Sequence, residues 1–133
     1  MKKIIIDTNF LMIPAQFKVD IFSEIRRICD FPYELHVLDK TIDELETIRV
    51  KSSRASLKDK KAAGLALKLI ETKDINVMPT ETYKIDVDSI ILDMADPKNW
   101  IVATQDAELK KRLRLKKVKT ITLRKRQKLE IVE

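Results

Sequence analysis

The sequence predicts an α/β fold with helices on both faces of a central, mostly parallel sheet, and three observations carry that expectation. Short segments such as Ile4-Ile5-Ile6 and Trp100-Ile101-Val102-Ala103 are apolar throughout, as strands covered on both faces are. Longer segments between them place apolar residues three and four apart, the signature of a helix packed along one stripe. The two patterns alternate along the chain, which is the succession that builds parallel sheets. With 44% apolar residues in 133, the chain can bury a real core, and residues 1–133 read as one domain.

Each element has its own local reason. The first strand, Ile4–Ile6, stops at Asp7-Thr8-Asn9. Residues 18–29 carry Val19, Ile21, Phe22, Ile25, Ile28 and Cys29 at helical spacing, and Pro32 ends that run. Leu35–Leu38 is a second short strand. Thr41-Ile42-Asp43-Glu44 has the form of a capping box and opens a helix to about Val50. A polar joint, Lys51-Ser52-Ser53-Arg54, leads into a long helix from about Ala55 to Glu71. Ile75–Met78 is a third strand, stopped by Pro79. A helix over Val87–Ala95, the strand Trp100–Ala103, a helix over Asp106–Leu115 and a final strand over Val118–Leu123 complete the series.

Composition removes whole classes of chemistry. One glycine cannot build a phosphate-cradling loop or a dinucleotide fingerprint. One histidine, His36, rules out paired-histidine sites, and one cysteine, Cys29, rules out an internal disulfide and a cysteine-built zinc site. Cys29 reads as a small core residue. No apolar run nears the roughly 20 residues of a membrane span, so no membrane association and a cytoplasmic location are expected. Catalysis, if present, rests on carboxylates, hydroxyls or lysine.

Charge is concentrated at one end. From Lys110 to Lys128 there are eleven Lys or Arg and no acid, whereas residues 1–109 carry a net −3. A basic C-terminal segment, 110–128, on a mildly acidic body is the footprint of a polyanion partner. The plainer alternative is a solvated surface.

The acids fall where a parallel sheet would gather them. In such sheets, sites form beyond the carboxyl ends of the strands. Asp7 directly follows the first strand, and Asp106 follows Trp100–Ala103 after two residues. On the helix 87–95, Asp88 lies at the margin of the apolar stripe and Asp93 points away from it. On the helix 106–115, Asp106 stands beside the buried Leu109 and Leu113, with Glu108 roughly opposite. On the helix 41–50, Glu44 and Glu46 flank the stripe equally, and geometry does not choose between them. Bland roles exist for several: Asp88 and Asp106 sit at helix starts, where acids favour the dipole, and Glu44 could close its capping box. Asp7 has the weakest such role, because an acid ending a buried strand is costly without a partner. Close carboxylates repel unless a cation neutralises them, which points to a hard ion such as Mg²⁺ or Mn²⁺.

Ile4-Ile5-Ile6-Asp7-Thr8-Asn9 resembles the opening motif of the PIN-domain nucleases, Thr41–Glu46 with its Glu44-Leu45 pair the second, and Val87-Asp88-Ser89-Ile90-Ile91 the third. Ile101-Val102-Ala103-Thr104-Gln105-Asp106-Ala107-Glu108-Leu109 is similar to the fourth and most specific motif. The four stand in order over essentially the whole chain. The resemblance implies a PIN-like three-layer sandwich and an endoribonuclease that leaves 5′-phosphate and 3′-hydroxyl ends. It carries Asp7, Glu44, Asp88 and Asp106 over as the catalytic tetrad, which chooses Glu44 over Glu46. Asp7, Asp88 and Asp106 would hold one or two Mg²⁺ or Mn²⁺ ions, with Glu44 positioning the attacking water and Thr8, Asn9 and Thr104 supporting the site by hydrogen bonding.

The RNA backbone is expected against Lys110, Lys111, Arg112, Arg114, Arg124, Lys125, Arg126 and Lys128. A second basic group, Arg49, Lys51, Arg54, Lys58, Lys60 and Lys61, lies around the helix joint. Few aromatic residues leave little base stacking. The basic close of the chain looks most like the ribosomal-RNA-processing branch, making pre-ribosomal RNA the implied target, although Val87 stands where that branch often has a second Asp. The alternatives are a VapC-type toxin neutralised by an antitoxin, a non-catalytic RNA-binding PIN scaffold, and a phosphoacceptor receiver domain. The intact tetrad argues against the scaffold. Thr8-Asn9 after Asp7 argues against the receiver, which needs adjacent acids there. A homodimer is compatible with the family.

Overall fold

The computed structural model of the chain describes residues 1–51, 56–81 and 86–133. Strand β1 (Lys2–Ile6) pairs in parallel with β2 (Tyr33–Leu38) on one side and β4 (Trp100–Ala103) on the other. Beyond β2 lies β3 (Asn76–Met78), and beyond β4 lies β5 (Lys119–Arg124), both parallel. The sixth strand, β6 (Lys128–Val132), runs antiparallel to β5, giving the order β3-β2-β1-β4-β5-β6.

Alternation along β1 divides the core, since successive side chains of a strand point to opposite faces. Ile4 and Ile6 pack on the side of α2 (Ile21–Ile28) and α4 (Leu57–Thr72), while Ile5 packs on the side of α5 (Val87–Met94) and α6 (Ala107–Leu115). All three isoleucines are fully buried. Burying such side chains is worth about 1.5–3 kcal/mol each, so β1 is the axis on which both layers rest.

Several boundaries differ from the sequence expectation for identifiable reasons. Residues 9–17, left unassigned by periodicity, form a 3₁₀ turn (Asn9–Met12) and a short helix α1 (Ile13–Phe17). Phe10, Leu11, Met12 and Ile13 are all buried, so the run has no polar face from which a helical period could be read. The capping box at Thr41 does not form. Helix α3 (Asp39–Glu46) starts two residues earlier, directly from β2, so Thr41 lies inside it with a buried hydroxyl that has no hydrogen-bond partner among the described residues. After Glu46 the chain widens into a π turn, Thr47–Lys51, in place of continued α-helix. The expected joint after Lys51 and the helix start at Ala55 fall on residues outside the description. Helix α4 is described from Leu57 and is capped by the Ser56 hydroxyl, which accepts from the Asp59 amide.

The expected final strand is followed by a hairpin, β5–β6, whose turn holds the basic residues 124–128. Lys125 and Arg126 both have positive φ, 53° and 58°, and the Gln127 amide donates to the Arg124 carbonyl at 3.1 Å. Two successive left-handed residues are the geometry of a type I′ turn, normally filled by Asn-Gly. Side chains with a Cβ pay roughly 1–2 kcal/mol each in that region. The free edge of β6 is closed from α2. The Leu129 amide donates to Glu24 Oε1 at 3.0 Å, and Arg27 Nη2 donates to the Leu129 carbonyl at 3.0 Å.

Replacing Lys125 by Asn together with Arg126 by Gly is expected to stabilise the fold by about 1 kcal/mol. Thermal unfolding followed by circular dichroism should show a midpoint higher by about 3–5 °C; an unchanged or lower midpoint would contradict the turn assignment.

Candidate active site

The chain builds outward from β1 through β2 and β3, then returns to lay β4 on the other side of β1. The reversal makes the carboxyl ends of β1 and β4 the switch point of the sheet, where a crevice opens. Asp7 and Thr104 leave those two strand ends side by side, joined by the Asp7 amide donating to the Ala103 carbonyl at 2.9 Å.

Asp7 is 3% exposed and fully occupied by donors. Its Oδ1 accepts from the Thr8 amide at 2.8 Å and its Oδ2 from the Thr104 hydroxyl at 2.8 Å. The same Thr104 oxygen accepts from the Asp106 amide at 3.1 Å, and Asp106 Oδ1 accepts from the Leu109 amide at 2.9 Å, capping α6. One buried threonine therefore links Asp7 to the start of the helix that carries Asp106. Between them, Gln105 turns outward to the next strand, its Oε1 accepting from the Leu123 amide at 2.9 Å.

The electrostatics follow from crowding negative charge in one crevice. Burial raises the Asp7 pKa, the hydrogen bonds from Thr104 and Thr8 oppose the shift, and the charge of Asp106 adds to it. Asp88 is half-buried on α5, and its carboxyl is pushed up to about 7, first by burial, then by the charges of Asp7 and Asp106 and a hydrogen bond with Asp106. Glu44 is open to solvent on one side, yet crowding by its surroundings raises its pKa, followed by the charge of Asp7, while Thr8 favours its ionised form and Asp86 disfavours it. Thr8 Oγ1 is buried and meets no partner at full hydrogen-bonding geometry among the described residues, and Glu44 is the carboxyl near enough to feel it.

Each residue singled out in the sequence has a definite place. Asp7, Asp88 and Asp106 influence one another directly, and Glu44 joins them through Asp7. Glu46 pairs with Arg49 at 2.8 Å, whereas Glu44 feels the charge of Asp7. Asp93 is exposed. Asn9 is exposed at the start of the 3₁₀ turn. Convergence is looser than a single point: among the described residues no three acid, histidine or cysteine groups close into a ready-made cation cage.

Two residues were missed as parts of this crevice. Asp86 caps α5 through the Ser89 amide at 2.8 Å, and its charge reaches both Asp88 and Glu44. Its signal was an acid three residues before Ser89, which marks the true N-cap one residue ahead of Val87. Glu108, expected on the far side of α6, lines the acid cleft of about 180 Å³ together with Asp86, Asp88, Asp106 and Arg112. Arg112 Nε donates to Glu108 Oε1 at 3.2 Å.

The basic residues divide by location. Arg112 belongs to the acid cleft. Arg124, Lys125, Arg126 and Lys128 ride the hairpin turn, which extends past the same carboxyl edge because β5 is parallel to β4. Lys110, Lys111 and Arg114 line a different cleft between α6 and β5–β6. In the second basic group, Arg49 is taken by Glu46, and Lys58, Lys60 and Lys61 lie in the first turns of α4. Arg54 and the Lys51 side chain fall outside the described residues.

The raised pKa of Asp88 has a pH consequence with a definite sign. A carboxyl whose folded pKa is raised above the ordinary 3.8 to about 7 costs the folded state stability as pH climbs from about 4 through 7. Asp88→Asn removes that loss. In chelator-treated protein, urea unfolding should show the variant more stable by about 1–2 kcal/mol at pH 8, once solvent screening is allowed for, and equal to the parent at pH 4. Equal stability at pH 8 would mean that the carboxyl carries no such strain.

Comparison with known proteins agrees with this architecture. The family described as PIN like domain matches residues 4–126. Ribonuclease VapC4 of Methanocaldococcus jannaschii is 35% identical over 132 residues, covering 98% of this chain and 97% of that protein. The PIN domain endonuclease Utp24 has a similar fold, with a TM-score of 0.75 at 21% identity, over 97% of this chain and 90% of that one. With four motif acids set about the sheet's switch point and a full-length relative at that identity, the chain belongs to the PIN-like domain family.

Proposed function

We propose that this chain is a metal-dependent endoribonuclease whose catalytic centre is Asp7, Glu44, Asp88 and Asp106. The observation that carries the reading is Asp88 in the acid cleft beside Asp86 and Asp106, a carboxyl pushed up to about 7 first by burial and then by the charges of Asp7 and Asp106. A perturbed acid in a cleft, with identified charge partners, is the mark of a working site. The VapC4 relative, by its name a ribonuclease, supports RNA as the substrate.

The residues fit a hard divalent cation. All donors are oxygens, and Asp86, Asp88, Asp106 and Glu108 line a cleft in which Arg112 is the one cation among the described residues, itself paired with Glu108. Asp7, Asp88 and Asp106 would hold Mg²⁺ or Mn²⁺, which when bound offsets negative charge and activates water. The chain's own groups supply the rest. Glu44, its pKa raised, accepts a proton from the water that attacks phosphorus. The new bond is from water oxygen to phosphorus, and the bond to the 3′ oxygen breaks; that oxygen takes a proton from solvent, giving a 3′-hydroxyl and a 5′-phosphate, and Glu44 returns its proton to solvent. Thr104 fixes Asp7 and Asp106 relative to each other. The hairpin cations Arg124, Lys125, Arg126 and Lys128 hold the RNA backbone at the rim.

Two cellular roles are open to such an enzyme. The basic closing segment favours processing of pre-ribosomal RNA. The identity to VapC4 favours a toxin held by an antitoxin partner. Mapping of 5′ ends after incubation with total RNA separates them: cuts confined to ribosomal precursors support the first, and cuts across many transcripts support the second.

The purified chain should cleave RNA with Mn²⁺ or Mg²⁺ and stop when a chelator is added. Asp7→Asn and Asp106→Asn should each lower the rate at least about 100-fold, the scale on which removal of a charge-stabilising group acts. Full activity in both variants would refute the assignment of the site.

A further inference from the structure

Helix α6 has a cleft along each flank. One is the acid cleft, touched by Asp106, Glu108 and Arg112. The other, of about 420 Å³, is touched by Lys110, Lys111 and Arg114 and closed on its far side by β5 and β6. That volume is in the range of about 300–1,000 Å³ typical of ligand sites.

Its charge is not balanced from within. The two acids that line it are already matched to cations outside it: Glu130 Oε2 with Arg124 at 3.1 Å, and Glu133 Oε1 with Lys119 at 3.1 Å. Lys110 donates to the Thr122 hydroxyl at 3.1 Å, which carries no charge. Lys111 and Arg114 have no ion-pair partner among the described residues. By contrast, Arg112 on the opposite flank is paired with Glu108. Three cations thus face one concavity whose two acids are each paired with a further cation, so positive charge is in excess there and favours an anion.

The ridge between the two clefts is α6 itself, about 10–12 Å across with its side chains. At the rise of about 3.4 Å per charge of a stacked strand, that width corresponds to about three nucleotides. We propose that the cleft beneath Lys110, Lys111 and Arg114 is a second backbone subsite. It takes phosphates of single-stranded RNA about three nucleotides from the bond cut in the acid cleft, the strand crossing over the first turns of α6. The assignment rests on the nuclease reading above and adds to it a minimum substrate length and a path.

The test uses the full chain carrying Asp7→Asn, so that RNA is bound without being cut. Two single-stranded RNAs, of about 3 and about 12 nucleotides, lie below and within the span that single-strand grooves accommodate. Binding is followed by fluorescence anisotropy for the parent, for Lys111→Glu/Arg114→Glu, and for the neutral pair Lys111→Gln/Arg114→Gln. Thermal unfolding verifies that each is folded. The parent should prefer the longer strand by at least about tenfold, and both double variants should lose that preference. Loss of two phosphate contacts should also lower the slope of log affinity against log salt by about 1.4. A preference that survives in either double variant, or an unchanged salt slope, overturns the subsite. Absence of a length preference in the Asp7→Asn parent, where the wild-type chain cuts RNA, overturns the subsite alone. Wild-type chain that neither cuts nor binds RNA overturns the nuclease reading, and the subsite with it.

Discussion

The hydroxyl of Thr104, wholly buried, donates to Asp7 and accepts from the amide of Asp106. Those two bonds tie the ends of neighbouring parallel strands to the start of α6, at the only level of the sheet where the chain reverses its direction of growth. A buried carboxylate such as Asp7 is tolerable only when its oxygens are fully hydrogen-bonded, and here both are. The rest of the crevice is then built on a fixed point. Asp88 and Glu44 come in from helices on opposite faces of the sheet and are unsettled by the charge already placed there. The acids are thereby held close enough to disfavour one another's ionised forms, an arrangement that costs the fold stability.

Around that negative centre the positive charge is partitioned by secondary structure rather than spread evenly. A parallel strand carries the basic turn of β5–β6 to the same edge as the acids. The helix that begins at Asp106 runs back from that edge, so Lys116 and Lys117 at its far end are remote from the crevice. The eleven cations between 110 and 128 therefore form separate local fields: the turn at the rim, the α6 cleft, and a group on the opposite edge of the sheet. Single-residue charge counts along the chain hide this division, because it is made by the reversal of chain direction at each end of a helix.

Much of this was legible in the sequence. The apolar runs gave β1 and β4 with their ends at Asp7 and Thr104, and the strand-to-helix alternation implied the parallel order that makes those ends neighbours. Stripe geometry put Asp88 inward and Asp93 outward, as the structure has them. What failed did so where local and tertiary signals compete. Thr41 looked like a cap because its side chain and Glu44 have the right spacing, but β2 passes into α3 without a loop, so the position is interior. The 3₁₀ turn and α1 were invisible because every residue from Phe10 to Ile13 is buried. Strand β6 was hidden by charge: its approach is Arg-Lys-Arg-Gln-Lys, and no turn-forming Asn or Gly marks the reversal. Glu44 against Glu46 was undecidable from the helix stripe, and what separates them is that Glu46 pairs with Arg49 while Glu44 feels the charge of Asp7.

The pairing of Glu24 and Arg27 with the backbone of Leu129 bears on how copies of this chain meet one another. An outer strand with open amides and carbonyls is a template on which another polypeptide can zip. Here an acid and a base from a neighbouring helix occupy the donor and acceptor of Leu129, so an incoming strand would have to displace that charge pair to bond at the start of β6. Sheet extension is thus hindered at the flank nearest the basic turn.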